Sequence, residues 1–407
     1  MFARGLVMYS HPLSFEIAMR TVELVVIVAH LHLAVFALRR LTAVPWGRFA
    51  VGAALLAGLL LTAPSALMEW DQRFLGWTAP VPWRLASAVW VVGLFGAYTV
   101  FLGHQFWQWM QHPGGSRAAS PLTDGSLGFM AAGSPASRRA FVTAAVAPFV
   151  IAGYGTFAGR KQIEVKEIDI ALRGLPGDLD GLRLAQITDL HCGPFLTPRD
   201  VQRVVSMVNE TRPHIALVTG DLITGPRDPL TPCIEALAGL RADAGIWGCM
   251  GNHEMFALNE RYTEAYGRAR GIEFLRGAAK TFRFGKAELN LAGVDYQRST
   301  QPYLEGAGDL IKQGALNVLL SHNPDVFPVA ADLGYDLVIS GHTHGGQITV
   351  EIIEQWANPG RFFTPFVAGE YSHGDSALYV SRGIGTVSLP MRIGATPEIT
   401  LLRLHRA

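Results

Sequence analysis

The segment Leu182-Arg183-Leu184-Ala185-Gln186-Ile187-Thr188-Asp189-Leu190-His191 is a strand-like apolar run that ends in an Asp-x-His pair. The same arrangement recurs downstream. Ile215–Thr219 leads into Gly220-Asp221, and Gly245–Met250 leads into Gly251-Asn252-His253-Glu254. Leu316–Leu320 leads into Ser321-His322-Asn323-Pro324, and Leu337–Ser340 into Gly341-His342-Thr343-His344-Gly345-Gly346. Short β-prone runs bounded by Gly, Asn, Asp or Pro, alternating with helical stretches, predict an α/β domain. In such folds the loops just past strand ends gather at one edge of the sheet, where ligands bind. Motifs scattered along the sequence are therefore expected to converge.

The residue types give that convergence a chemical meaning. Hydrolysing a phosphoester needs a nucleophile at neutral pH and relief of charge on the phosphoryl oxygens, and two divalent ions about 3.5–4 Å apart supply both. A bridging carboxylate with His, Asp and Asn ligands suits borderline transition metals. An Asp-x-His pair at a strand end can place both side chains on one ion, and a His-x-His pair can divide between two. Glycines beside the ligands let backbone and phosphate approach closely. Taken singly, each motif has a plainer reading. A lone His-x-His is more often structural, Gly-Asp after a strand is usually a turn, and Gly-Asn-His reads as a turn with a capping Asn. The ordered set is what carries the inference.

That set resembles the calcineurin-like metallophosphoesterases, whose pattern is D-x-H, G-D, G-N-H-[DE], a lone His and G-H-x-H. The resemblance covers roughly Lys161–Leu404 and matches at every core position. Ala377–Gly385 and Pro397-Glu398-Ile399-Thr400 also resemble the branch that carries an N-terminal membrane or twin-arginine segment. The resemblance implies two facing mixed β-sheets flanked by helices, and two divalent metal ions as cofactor, with Mn, Fe, Zn and Mg all open. It implies Asp189, His191 and His344 on the first ion and Asn252, His322 and His342 on the second, with Asp221 bridging. A metal-bridging hydroxide would attack phosphorus in line. His253 would stabilise the transition state or protonate the leaving oxygen, with Glu254 as the partner that orients it.

Other residues are read more plainly. Cys192 directly follows His191 but is expected to be a small buried neighbour. His30 and His32 are two apart, so on a helix they point to different sides and cannot share an ion. His214 is expected at the surface. Arg382 is open between a substrate contact and a structural ion pair. The aromatic-rich stretch Glu351–His373 is open between a cap over the site, a lipid contact and a packed loop.

The first 160 residues obey a different physics. Only 16% of the 407-residue chain is charged and 49% is hydrophobic, with a mean hydropathy of +0.23, against about 25% charged in ordinary globular domains. The excess sits in four apolar runs, Thr21–Leu38, Phe49–Met68, Leu85–Gly103 and Ala140–Ala158. Each is near the roughly 20 residues a helix needs to cross a bilayer. Trp70, Trp77, Trp83, Trp107 and Trp109 flank the second and third, where interfacial aromatics belong. Residues 1–160 are therefore expected to be a transmembrane region with a flexible loop at 111–137, and residues 161–407 the phosphoesterase domain. Arg39, Arg40 and Arg48 in one loop and Arg138 and Arg139 before the fourth run put both loops in the cytoplasm by the positive-inside rule. The multi-pass chain would then lie in the inner membrane with its C-terminal domain on the periplasmic side, although Arg4 and Arg20 argue mildly the other way. Ser137-Arg138-Arg139-Ala140-Phe141-Val142 also resembles an internal twin-arginine signal, and a pair of stop-transfer arginines gives the same topology.

The expected function is a membrane-anchored phosphohydrolase. Its partners would be the membrane and a phosphoester, mono- or diester, including lipid- or envelope-linked ones. The net charge of +1 gives no reason to expect nucleic acid. Three cysteines make neither a disulfide framework nor a CxxC zinc site. A non-catalytic metal-dependent sensing module is the alternative, against which His253 argues. Four helices with little intramembrane charge make a transporter a poor third reading.

Overall fold

The computed structural model describes residues 21, 24–32, 35, 49, 53, 56–58, 60–62, 79–111, 135–298, 303–349 and 358–407. These fall into two compact units, one running from 159 to 407 and one lying within 10–158. In the N-terminal unit, α1 spans Val81–Gln111 and α2 spans Pro135–Phe157. Among the described residues, one helical segment, Val81–Trp107, is long and apolar enough to cross a membrane, with a window of mean hydropathy 1.9. It contains the third expected run and extends beyond it at both ends. The fourth run lies in α2 apart from its last residue, Ala158; the helix carries Pro148 and begins before Arg138 and Arg139. The described positions in the first two runs are helical, but much of both runs lies outside the described residues, as does 112–134 of the expected loop. Trp90 on α1 donates to His30 Nε2 at 3.0 Å, and Tyr98 OH lies 3.0 Å from His32 Nδ1. Each histidine is used in packing, and both reach partners on α1.

The C-terminal unit is built from strands β1 (Glu164–Leu172), β2 (Arg183–Ile187), β3 (Ile215–Thr219), β4 (Ile246–Cys249), β5 (Ile272–Phe274) and β6 (Ala278–Phe284), followed by β7 (Ala287–Gly293), β8 (Leu316–Leu320), β9 (Leu337–Ser340), β10 (Gly369–His373), β11 (Ser376–Val380) and β12 (Glu398–Arg406). They form two six-stranded sheets, ordered β1-β12-β2-β3-β4-β5 and β10-β11-β9-β8-β7-β6. Both sheets are mixed. In the first, β2 to β5 run parallel and β12 joins β2 antiparallel. In the second, β7, β8, β9 and β11 run parallel, with antiparallel β6 and β10 at the edges.

Side-chain alternation explains the layering. Leu184, Ile215, Leu217, Leu402 and Leu404 of the first sheet face Leu289, Leu291, Val318, Leu320, Leu337 and Ile339 of the second, forming the core between them. Their neighbours one residue away, such as Ala185, Ala216 and Val218, point outward under α3 (Pro198–Glu210) and α4 (Leu230–Leu237). Val201, Val204, Val205 and Val208 are the buried stripe of α3, each worth roughly 1.5–3 kcal/mol on burial. The helix starts at a capping box between Thr197 and Asp200, with Pro198 in the first turn. Short helices α5 (Asn252–Phe256) and α6 (Glu260–Arg268) follow β4, and α7 (Phe327–Leu333) covers the outer face of the second sheet through Phe327 and Ala330. The expected pair of facing mixed sheets with flanking helices is present.

Candidate metal centre

Every expected site residue lies just past the C-terminal end of a parallel strand. Asp189 and His191 follow β2, Asp221 follows β3, and Asn252 and His253 open α5 after β4. His322 follows β8, and His342 and His344 follow β9. The two sheets thus deliver ligands from opposite sides to one point. The chain must turn sharply at each strand end to do so, and the backbone records it. Asp189, His191, Asp221, His342 and His344 have φ of 52°, 45°, 54°, 75° and 53°. Non-glycine residues there cost of order 1–3 kcal/mol each and persist where the surroundings over-determine them. Glycine permits the closest approach between loops. A Cβ on Gly220, whose φ is +92°, would lie 2.6 Å from the Gly251 backbone nitrogen.

The side chains then converge. His191 Nε2 lies 3.0 Å from His344 Nε2 and 3.7 Å from Asp221 Oδ2. His322 Nε2 lies 3.0 Å from Asp221 Oδ2 and 3.9 Å from Asp189 Oδ1, and His344 Nε2 is 3.4 Å from the same Asp189 oxygen. His253 Nε2 sits 4.0 Å from Asp221 Oδ2. Three groups have ligand atoms mutually within 4.8 Å: Asp189, His191 and His344; Asp221, His322 and His342; and His191, Asp221 and His253. Asn252 is beside them, with its Oδ1 buried and unpartnered.

Burial sets the electrostatics. It pushes the Asp189 carboxyl up to about 6, helped by the neighbouring Asp221, while the His322 ring works in the opposite direction. Burial would raise Asp221 too, but His322 and His253 hold it well below the usual carboxylate range. His322 resists its own burial because Asp221 and Asp189 raise it to about 10. Burial takes His191 down to about 3 and His344 well below the ordinary range. Two buried carboxylates leaning on one histidine ring are a place that asks for positive charge.

Hydrogen bonds on the far sides of these groups aim them inward. His322 Nδ1 donates to Thr219 O at 2.7 Å, which turns Nε2 toward the carboxylates. That Nε2 lies close to Asp221 yet outside hydrogen-bond geometry, so it is orphaned like Asn252 Oδ1. His191 Nδ1 meets Thr224 Oγ1 at 3.0 Å and His253 Nδ1 donates to Thr224 O at 2.6 Å. Asp189 accepts from Thr188 Oγ1 and from the His342 amide. Orphaned inward-facing N and O atoms, mixed imidazole and carboxylate donors and far-side anchoring are what a divalent-metal site requires, so the residues present fit such an ion.

Some expectations change. Glu254 does not orient His253. Its carboxylate accepts from the amides of Asp221, Leu222 and Gly251 at 2.9, 2.8 and 2.9 Å, tying two ligand loops together, and Thr224 O orients His253 instead. His214 is half-buried, and its Nδ1 accepts the Arg183 amide. The Arg382 amide donates to Glu398. Cys192 is buried, as expected. Of the aromatic stretch, residues 351–357 lie outside the described residues, while Phe366 packs against Phe327 and Tyr371. Sequence reading missed Thr224, Tyr296 and Arg392. Tyr296 OH is 3.5 Å from His342 Nε2, and its position three residues after β7 was the available signal. Arg392 stands among apolar residues and glycines near the C-terminus, with no local pattern to mark it.

Comparison with known proteins agrees with this geometry. The family description "calcineurin-like phosphoesterase" matches residues 182–346. The chain is 32% identical to the "transmembrane protein with metallophosphoesterase domain" of Danio rerio, over 67% of this chain and 64% of that one. It is 30% identical to the uncharacterized metallophosphoesterase YkuE of Bacillus subtilis, over 62% of this chain and 89% of that one. The Bos taurus transmembrane relative is 29% identical over 60% of this chain and 57% of its own length. The chain therefore spans less than two thirds of both transmembrane relatives.

Proposed function

The chain belongs to the calcineurin-like metallophosphoesterases, and we propose that within that family it is a membrane-anchored phosphohydrolase with a dinuclear metal site. Its enzyme class is metal-dependent phosphoric ester hydrolysis. The observation that supports the finer reading is the convergence of five strand-end loops on Asp221, which lies within 4.0 Å of His191, His253 and His322. Asp189, His191 and His344 would hold one ion and Asn252, His322 and His342 the other, with Asp221 serving both. When bound, the ions supply a nucleophile at neutral pH and offset charge on the phosphoryl oxygens.

The chain's own groups do the rest. Thr219 O and Thr224 fix the rings of His322, His191 and His253, so the ligands are preorganised. His253 touches Asp221 through Nε2, and its Nδ1 proton is committed to Thr224 O. Its side chain is 10% exposed, and in the doubly protonated form the ring would give its Nε2 proton to the leaving oxygen and return to the neutral Nδ1–H form.

The anchor is the set of four apolar runs, supported by the membrane-compatible α1 and by relatives named as transmembrane proteins. The arginine-rich loops place the domain on the periplasmic side. Phe362 is 88% exposed, in a turn that Asn358 fastens to Gly345 at 3.0 Å. Exposed Phe362 and Phe363 in the turn fastened to the ligand loop favour a lipid- or envelope-linked phosphoester as substrate.

Purified full-length protein loaded with Mn²⁺ should hydrolyse a generic aryl phosphodiester or monoester. His253→Ala should lower kcat by about 10²–10⁴ with metal content unchanged, and Asp221→Asn should lower metal content and activity together. Full activity in both variants overturns the mechanism. Tight binding of phosphoesters without turnover under any metal would instead favour a sensing module. Topology reporters fused after Arg160 test the orientation, and a cytoplasmic-only signal overturns it.

A further inference from the structure

Arg392 is 1% exposed, and burying a cation is costly unless its hydrogen bonds are met. Its donors are met, but not by a carboxylate among the described residues. Nε donates to Gly385 O at 3.0 Å and Nη2 to the same carbonyl at 2.5 Å. Nη1 donates to His344 O and Arg382 O, both at 2.8 Å, with Ala395 O at 3.4 Å. Nη2 also lies 3.1 Å from His344 Nδ1.

One guanidinium therefore grips His344 at two places, its carbonyl and its ring. A guanidinium has no lone pair, so Nδ1 is the acceptor there. Turning the ring over would put a C–H against the guanidinium and lose that bond. Nε2 is thereby held toward His191 and Asp189. The carbonyl grip matters equally, because His344 is a non-glycine residue with φ of 53°. A residue in that conformation needs outside restraint. The same side chain ties this loop to Arg382 and Gly385, and the Gly385 amide donates to Asp189 O at 2.7 Å. A rigid planar fork of five donors suits these convergent carbonyls, and a lysine cannot reproduce it.

We propose that Arg392 is a positioning residue for the metal centre, one that sets the orientation of His344 and the register of the β9 and β11 end loops behind it. The proposal rests on the reading of Asp189, His191 and His344 as metal ligands. It assigns to a residue far from the motifs a share of the metal affinity.

The test uses full-length protein and Mn²⁺ alone as the probe, with affinity from calorimetry, stoichiometry from elemental analysis, and near-UV circular dichroism of the metal-free form. Arg392→Met and Arg392→Lys should both weaken Mn²⁺ binding by about 10–100-fold, the range for groups that orient ligands, while keeping the metal-free spectrum. Tyr335→Phe, which removes a buried bond to Ala307 O at the end of β9 opposite the ligand loop, serves as the control and should lower Tm without changing affinity. Affinity within twofold of wild type in both Arg392 variants overturns the proposal. So does loss of affinity in Tyr335→Phe of the same size, which would mark a general stability effect. If Arg392→Met fails to fold, Arg392→Lys decides, and failure of both makes Arg392 a folding residue and overturns the proposal. Wild-type protein that binds no Mn²⁺ overturns the ligand reading itself, a result distinct from a difference between variants.

Discussion

At the scale of single residues, the ligands are ordinary side chains made unusual by what stands behind them. Glu254 is the clearest case. Its Oε2 accepts two amides, from Asp221 and Gly251, and its Oε1 accepts one from Leu222. Glu254→Gln puts an NH₂ against at least one of those amides whichever way it turns. The expected cost is about 1–3 kcal/mol, read from denaturant unfolding, with a parallel loss of metal on dialysis. Unfolding unchanged from wild type would show that the three amides do not depend on the carboxylate. Burial and the nearby Asp221 raise the Glu254 carboxyl, partly opposed by the Gly251 and Leu222 amides and the His322 ring. The carboxylate is thus held in place by donors already committed to it.

At the scale of elements, the strand ends decide the site. Gly220 and Gly251 belong to loops after adjacent strands and pass so closely that neither tolerates a side chain. Gly220→Ala adds both a φ penalty and a clash with the Gly251 backbone, so it should cost roughly 2 kcal/mol or more and reduce activity more than stability alone explains. Assaying activity at a temperature where the variant remains folded separates the two effects. The N-terminus of α3 makes the contrasting case. Thr197→Ala removes a capping box six residues past His191, on a helix that carries none of the site residues. It should cost about 1 kcal/mol of stability and leave kcat unchanged. A large drop in kcat would mean that α3 transmits strain to the β2 end loop.

At the scale of the whole molecule, the C-terminal unit has its own inter-sheet core and two outer helix layers. A fragment covering 159–407 is expected to stay soluble without detergent, unfold cooperatively and retain Mn²⁺ binding. Aggregation, or a non-cooperative transition, would show that the N-terminal unit is needed for folding. Metal removal should be felt globally. An ion present at a hundredfold its Kd stabilises by about 2.7 kcal/mol, so chelation should lower Tm by roughly 5–10 °C for a domain of this size. An unchanged Tm on chelation would mean that the fold and the metal site are energetically independent.

The sequence alone determined the strands that matter and the residues at their ends. Ile215–Thr219, Leu316–Leu320 and Leu337–Ser340 have the observed bounds, because short, largely continuous apolar runs followed by Gly or Ser are a local signal. The convergence of the candidate ligands was equally legible, since they stand in a fixed order along the chain and each follows one of these strands. Only the tertiary structure decided what stands behind each ligand. Glu254 reaches back to a loop about thirty residues earlier, and Arg392 grips a histidine about fifty residues before it. Those partners are backbone amides and carbonyls, which every residue carries. A bond to the main chain leaves no mark in the sequence of the residue it holds, and only the folded chain brings the two together.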